Sequence, residues 1–238
     1  MTTIDHRPAS SRFHTDAGWL DSRHSFSFGH HYDPDNTGNG LLIVSNDDVV
    51  APGAGFGAHA HRDMEIVTWV LEGELEHRDS AGNEGVIRPG LAQRMSAGRG
   101  IRHSEMNHSA TEPVHFVQMW VPPHETGIDP GYEQRDVSYA LADGGLVAVA
   151  SGRGHDGAVT IHQRDAVMWV ARLDDGAGVE IPGGPRVHVF MARGSARLGD
   201  LLLQAGDAAR LTDTEPVPLV ATATAEVIVW ETTAEARG

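Results

Sequence analysis

Apolar positions along this chain recur either at every second residue or in short unbroken runs, and each run ends in a cluster of Gly, Pro, Asn or Asp. Ser25-Phe26-Ser27-Phe28 alternates polar with apolar, as a half-buried strand does. Leu41 to Val44 and Val49-Val50 form a short apolar strand broken by Asn46-Asp47-Asp48. Ile66 to Leu71 is β-branched and aromatic, and Glu74 to Arg78 continues as a strand into a hairpin turn at Asp79-Ser80-Ala81-Gly82-Asn83. Val86 to Arg88, Gln93 to Met95 and His115 to Val121 follow, punctuated by Pro89-Gly90, Gly98 and Gly100. No stretch sustains the helical period. Short strands between Gly/Pro turns at this density predict an all-β barrel or sandwich.

Pro122 to Gly131 is the best boundary, and beyond it the pattern restarts. Val187 to Gly194 parallels Val67 to Gly73, and Val227 to Trp230 echoes the closing strands of the first half. The chain therefore reads as a weak internal repeat, two β-barrels in tandem over residues 1–130 and 131–238. The tail from Thr232 to Gly238 is expected to fray.

Inside the first half, two turns rich in glycine each lead into a pair of ligand-type side chains. Gly53 to Gly57 precedes His59 and His61; Gly98 and Gly100 precede His103 and Glu105. Each pair is spaced i and i+2, so on a strand both members face the same way. Two such strands side by side would aim four N/O donors at one point, a plausible metal site. A His-x-His pair alone is weak in a chain with 15 His; the matching phase of the second pair is what carries weight. Glu65 also follows the His pair, but its spacing to Gly73 is one residue longer than the family pattern named below most often shows, a shift that would turn it away from the metal and leave a structural or supporting role. Glu105 is the expected carboxylate ligand. His77, near a turn, is expected on the surface, while His24, His30 and His31 flank Phe26 and Phe28 and either line a pocket mouth or lie exposed. Met64, Met95, Met106 and Met119 read as core filler. In the second half, the positions matching His59 and His61 fall near Glu180 and Pro182, and the one matching His103 near Leu219; the second barrel is expected to hold no metal.

Composition narrows the chemistry. The chain contains no Cys, which excludes disulfides, thiolate sites and Cys nucleophiles. A formal net charge of −15, with every cation an Arg and none clustered, disfavours direct nucleic-acid binding. Neither a signal peptide nor a run of about 18 apolar residues is present, so no membrane span is expected and a cytoplasmic location is the default. There is no Gly-x-Ser-x-Gly elbow and no phosphate loop. Three neutral imidazoles and one carboxylate around a divalent ion leave open positions suited to Fe(II), Mn, Ni, Co or Cu; a closed zinc site more often uses thiolates.

The residues that now carry a resemblance are Asp16-Ala-Gly-Trp19-Leu, Ser25-Phe-Ser-Phe28-Gly, Val50-Ala-Pro-Gly-Ala-Gly-Phe56-Gly and His59-Ala-His61-Arg-Asp-Met-Glu65. Val70-Leu-Glu-Gly73, His77-Arg-Asp-Ser80, Gln93-Arg-Met-Ser-Ala-Gly98 and Gly100-Ile-Arg-His103-Ser-Glu105-Met-Asn107 continue it. Over residues 12–135 the chain resembles the pirins, bicupin proteins that include bacterial members with quercetin 2,3-dioxygenase activity. The resemblance implies two tandem cupin barrels (double-stranded β-helix, or jelly-roll), the second degenerate. It also implies one metal held by residues placed like His59, His61, His103 and Glu105. Seven residues separate Glu65 from Gly73, one more than the general cupin pattern most often shows, and pirins share that departure. Leu91 stands where Gly-Asp is usual, which bears on turn geometry alone.

The expected function is a metal-dependent dioxygenase acting on a small flavonol-like aromatic substrate and dioxygen, with Glu105 also serving as general base. Fe(II) is the first choice of ion, one per chain, with Mn, Ni, Co, Cu and Zn as alternatives. The rival expectation is a non-enzymatic, metal- or redox-dependent regulator that binds a protein partner, as eukaryotic pirins are described; a metal-dependent isomerase or hydrolase stands third.

Overall fold

The computed structural model describes residues 3–236. Among them are twenty strands, one short α-helix and one turn of 3-10 helix at Ala9–Ser11. The first half contributes β1 (Thr3–Arg7), β2 (Phe13–Asp16), β3 (Leu20–His24), β4 (Val44–Val50), β5 (Gly55–His61), β6 (Glu65–Glu72) and β7 (Leu75–Asp79). It continues with β8 (Glu84–Ile87), β9 (Leu91–Ser96), β10 (Ile101–Asn107), β11 (Val114–Val121) and β12 (Gly131–Asp136). After helix α1 (Ser138–Leu141) come β13 (Val147–Ser151), β14 (Val159–Thr160), β15 (Ala166–Leu173) and β16 (Gly178–Ile181). The chain closes with β17 (Gly184–Leu198), β18 (Leu201–Gln204), β19 (Ala208–Thr214) and β20 (Val217–Thr232).

Two tandem cupin barrels result. The first is a seven-stranded sheet in the order β12-β9-β6-β11-β4-β3-β2 facing a four-stranded sheet in the order β5-β10-β7-β8. The second repeats the pairings with longer strands. Its β17 pairs with β19 and β20 and then with β18, so it spans the equivalents of β6 and β7 without interruption. Likewise β20 pairs with β15, β16 and β17, combining the roles of β10 and β11.

The apolar run in β6 is explained by burial on both faces. Ile66 joins a cluster with Met95 and Ile101, and Val70 one with Leu75, Ile87 and Phe116, both on the interior side of the first barrel. Val67, Trp69 and Leu71 point the other way, into the largest core, which they share with Met168, Phe190, Ile228 and Trp230 of the second barrel. The two barrels are thus glued face to face by a common core. Trp69 Nε1 donates to Glu226 Oε1 at 2.6 Å across that seam. Met95 and Met119 are buried in these clusters; Met64 and Met106 are only partly covered.

Sheet membership does not follow a cut at residue 130. β1 pairs with β19 of the second barrel, and β12, just past the Pro/Gly-rich segment, pairs with β9 of the first. Turn residues mark where the chain reverses, not which sheet it then joins. The tail also departs from expectation. Thr232 ends β20 fully buried, Arg186 pairs with Glu235 at 2.7 Å, and the Ala236 N–H donates to Gly40 O; residues 237 and 238 lie outside the described residues. No helix among the described residues is long and apolar enough to cross a membrane.

Candidate metal centre

β5 and β10 pair antiparallel, with His59 directly opposite His103 and Ile101 opposite His61. A bulge follows: Glu105 pairs with Phe56, so β5 spends three steps where β10 spends two. The extra residue puts Phe56 on the same face as His59 and His61. On its other edge β10 pairs with β7, which sets Glu105 opposite His77 and His103 opposite Asp79. His59, His61 and His103 each bring a potential ligand atom within 4.8 Å of the others, and His77, His103 and Glu105 form a second, overlapping group on the same criterion.

The donor chemistry fits a cation. His59 Nδ1 donates to Gly57 O at 2.8 Å, which leaves its Nε2 lone pair free. His61 Nε2 and His103 Nε2 are buried and lack any hydrogen-bond partner. A neutral imidazole with an unpaired, buried Nε2 is costly unless something electropositive meets it. Burial, followed by the neighbouring His59, lowers the His61 pKa to about 4; burial and the other imidazoles lower His103 to about 2. Both rings are therefore neutral and able to ligate across the physiological range.

Glu105 is fully enclosed. Burial raises its pKa, opposed first by Gln118, whose Nε2 donates to both carboxylate oxygens at 2.8 Å. Gln118 is itself oriented by Trp120, whose Nε1 donates to Gln118 Oε1 at 3.0 Å. Trp120 also meets the His61 ring edge-on, 4.9 Å between centroids. Next to this group opens a cavity of about 290 Å³ lined by Leu20, Phe28, Phe56 and Trp120 on its apolar side. Its polar side carries Ser22, His24, Asn46 and Asp48. Burial lifts the Asp48 pKa to about 7, with Asp47 and Glu105 adding to the rise, against hydrogen bonding from Ser22 and the charge of Arg12.

The structure clusters the ring nitrogens of His59, His61 and His103, and sets Glu105 beside His103 and on the same cavity as His59 and His61. Glu65 faces the opposite side of β6, where its Oε2 accepts from Ser96 Oγ and from the His162 N–H, both at 2.9 Å. Phe28 and Phe56 line the cavity, whereas Phe26 is buried in the core between the barrels, against His188. His24 and His30 line the cavity; His31 stands behind it, on Thr15.

His77 is a correction: far from lying on the surface, it has no exposed area. β7 runs on through Asp79, so His77 shares the inward phase of Leu75 and sits opposite Glu105. Its ring stacks on Tyr132 at 4.7 Å and its Nδ1 lies 3.4 Å from His103 Nδ1. The phase Leu75-x-His77-x-Asp79 was the available signal. Gln118 was missed as well, and its signal was a lone amide in phase with Val114 and Phe116 inside an apolar run.

The second barrel presents no such donors at the matching register. Val179 pairs with Leu219 as His59 pairs with His103, and Ile181 takes the place of His61. These positions lie one residue before Glu180 and Pro182, and Glu180 points outward. Ala221, opposite Ala196, stands where Glu105 faces His77. Ile181, Ala196, Leu219 and Ala221 belong to an apolar cluster with Val179 packed against it.

Residues 6–121 match the family described as Pirin, and residues 148–232 match the one described as Quercetinase C-terminal cupin domain. A relative from Mycobacterium tuberculosis is 57% identical over 231 residues, spanning 96% of this chain and 95% of its own. The Escherichia coli protein named quercetin 2,3-dioxygenase is 40% identical over 226 residues, with 94% and 96% of the two chains covered. The bacterial pirin YhhW from Escherichia coli, solved in complex with nickel(II), superposes with a TM-score of 0.90 at 38% identity over 98% of this chain and 100% of its own.

Proposed function

The chain belongs to the pirin family, and from that premise we propose that it is a metal-dependent dioxygenase cleaving a flavonol-like substrate at one mononuclear centre in the first barrel. The observation that carries this reading is a cluster of three imidazoles, His59, His61 and His103, beside a cavity with aromatic sides whose wall also carries the enclosed Glu105. His59, His61 and His103 would hold the ion through Nε2, and Glu105 through its carboxylate. Fe(II) is our first choice of ion, and the nickel in the Escherichia coli relative makes nickel its main competitor. Once bound, the ion would supply Lewis acidity to the substrate's enolic hydroxyl and a route for charge transfer between substrate and dioxygen.

The chain's own residues do the rest. Glu105, enclosed on the cavity wall, would accept the proton of the substrate's 3-hydroxyl while staying beside the ion. Gln118 and Trp120 keep that carboxylate from swinging out of reach. Phe28, Phe56 and Trp120 offer flat apolar faces to a planar ring system and exclude water, while Ser22 and Asn46 face hydroxyl groups along the other wall. A cavity of about 290 Å³ suits a molecule at the small end of the ligand range.

The test is anaerobic reconstitution with Fe(II), Ni(II), Mn(II) or Co(II), then addition of air and a panel of flavonols. Oxygen uptake matched by carbon monoxide release is expected. A protein that binds metal yet consumes no oxygen with any flavonol would sink the enzymatic reading and favour a metal-dependent partner-binding role.

A further inference from the structure

His77 and Asp79 lie outside the proposed ligand set, yet both side chains are completely enclosed and adjoin it. His77 Nε2 is 3.3 Å from Asp79 Oδ2, and His77 Nδ1 is 3.4 Å from His103 Nδ1. His103 then has only Nε2 left, and that atom is buried without a partner. Three groups thus form a line, carboxylate, imidazole, imidazole, leading to the point where the His59 and His61 rings converge.

Counting protons along this line gives one consistent arrangement. The Asp79 carboxylate is held in place by the Ala81 and Asn83 N–H groups, which donate to Oδ1 at 2.9 and 3.0 Å, and by the Asn83 side chain. As a carboxylate it can only accept, so the His77 proton must sit on Nε2. A neutral His77 then offers a lone pair at Nδ1. The facing nitrogen of His103 must supply the proton for that contact, because two lone pairs would repel. His103 is therefore Nδ1–H, and its Nε2 carries the lone pair. Free imidazole side chains favour the opposite tautomer, which would place a proton where a cation must bind.

We propose that Asp79 and His77 are positioning residues that fix the tautomer of His103, so that its Nε2 lone pair is presented to the metal. Tyr132, stacked on His77 from β12, keeps the intermediate ring from rotating out of line. The inference rests on the metal-site reading above but makes a claim about the metal-free protein as well.

The experiment compares wild-type protein with Asp79→Asn, His77→Phe and His77→Gln. In Asp79→Asn the amide oxygen can keep the backbone donors of the turn, which puts the amide N–H₂ against His77 Nε2. The line then runs backwards, and His103 receives a proton on Nε2. An isosteric Asp-to-Asn change that fixes the wrong imidazole tautomer is known to cripple serine-protease triads. In His77→Gln the amide oxygen can still accept from His103 Nδ1–H; in His77→Phe nothing can.

Two measurements are made. Ring ¹⁵N shifts and two-bond proton–nitrogen correlations on metal-free protein report the His103 tautomer, and chelator competition reports the Ni(II) Kd. Wild type and His77→Gln should show His103 as Nδ1–H, and Asp79→Asn and His77→Phe as Nε2–H. Ni(II) affinity should fall roughly 10–100-fold in the last two and no more than a few-fold in His77→Gln. An Nε2–H tautomer in folded, metal-free wild type overturns the proposal. So does a His77→Gln variant as impaired as His77→Phe, which would make His77 either a packing residue or a ligand itself. Failure of the wild type to bind Ni(II), Fe(II) or Co(II) would instead sink the metal-site reading, while the tautomer measurement would still decide this one.

Discussion

Glu65 and Glu105 each follow a turn and a histidine pair or single histidine, and a single step of strand phase separates their fates. Glu105 faces the first barrel's interior with Gln118; Glu65 faces the seam and is tied to Ser96 and His162. Glu65→Gln should therefore leave Ni(II) binding at one ion per chain. Glu105→Gln should weaken it by more than the roughly 10–100-fold typical of losing a group behind a ligand. Equilibrium dialysis of the two variants checks both. Asp48 supports a second prediction at this scale. Its folded pKa, about 7, lies above the value of about 4 expected in the unfolded chain. The native state thus binds the extra proton between those values, and this contribution to stability is present below pH 4 and lost as pH rises towards 7. Asp48→Asn should gain stability relative to wild type across that window, by up to about 1.4 kcal/mol per pH unit. Urea melts at pH 5 and pH 7 measure the difference; a parallel response of both proteins would show that Asp48 is ionised throughout.

Among the elements, the pairing of β5 with β10 decides whether the site exists. A Cβ on Gly55 would collide with the Glu105 carbonyl oxygen and with Met106 Cα, both backbone atoms that cannot step aside. Gly55→Ala should push β5 away from β10, separating His59 and His61 from His103. The expected result is a protein with native-like circular dichroism, a lowered Tm and Ni(II) affinity reduced at least tenfold. Unchanged affinity would show that the strands adjust independently of the ligands. Most of this element-level architecture could be read along the chain, because period-two alternation reports which side chains share a face. His77 was misplaced because the turn residues Asp79 to Asn83 were allowed to outweigh the phase set by Leu75. The β5 bulge could not be read at all: an extra residue at Gly57 and Ala58 leaves no mark in a stretch already rich in small residues.

On the scale of the whole molecule, the two barrels are not independent. Trp69, Met119, Phe190 and Trp230 meet in one core, and Trp230 Nε1 donates to Met119 Sδ at 3.1 Å. Residues 1–130 on their own would expose that face, and would lack β12 to cover β9. Expressed alone, the fragment should aggregate or stay unfolded, which size exclusion and circular dichroism will reveal. In the full chain, Trp230→Ala should destabilise by about 3–5 kcal/mol and keep a single cooperative transition, since the cavity it leaves belongs to both halves. Two separated transitions would show that the barrels fold separately.

What the amino-acid sequence determined by itself was local and periodic: an all-β chain, a repeat, and two in-phase pairs of ligand-type side chains. Those follow from alternation, which each strand carries within itself. Only the tertiary structure decided what depends on contact between distant segments. Gln118 clamping Glu105 came from there, as did the register that sets Val179 and Ile181, each one residue before Glu180 and Pro182, at the positions of His59 and His61. The same holds for β1 and β12 crossing the expected boundary, and for His77 and Asp79 standing in line behind His103. Register between strands is set by bulges and by packing against the opposite sheet, and neither is a property of any one stretch of chain.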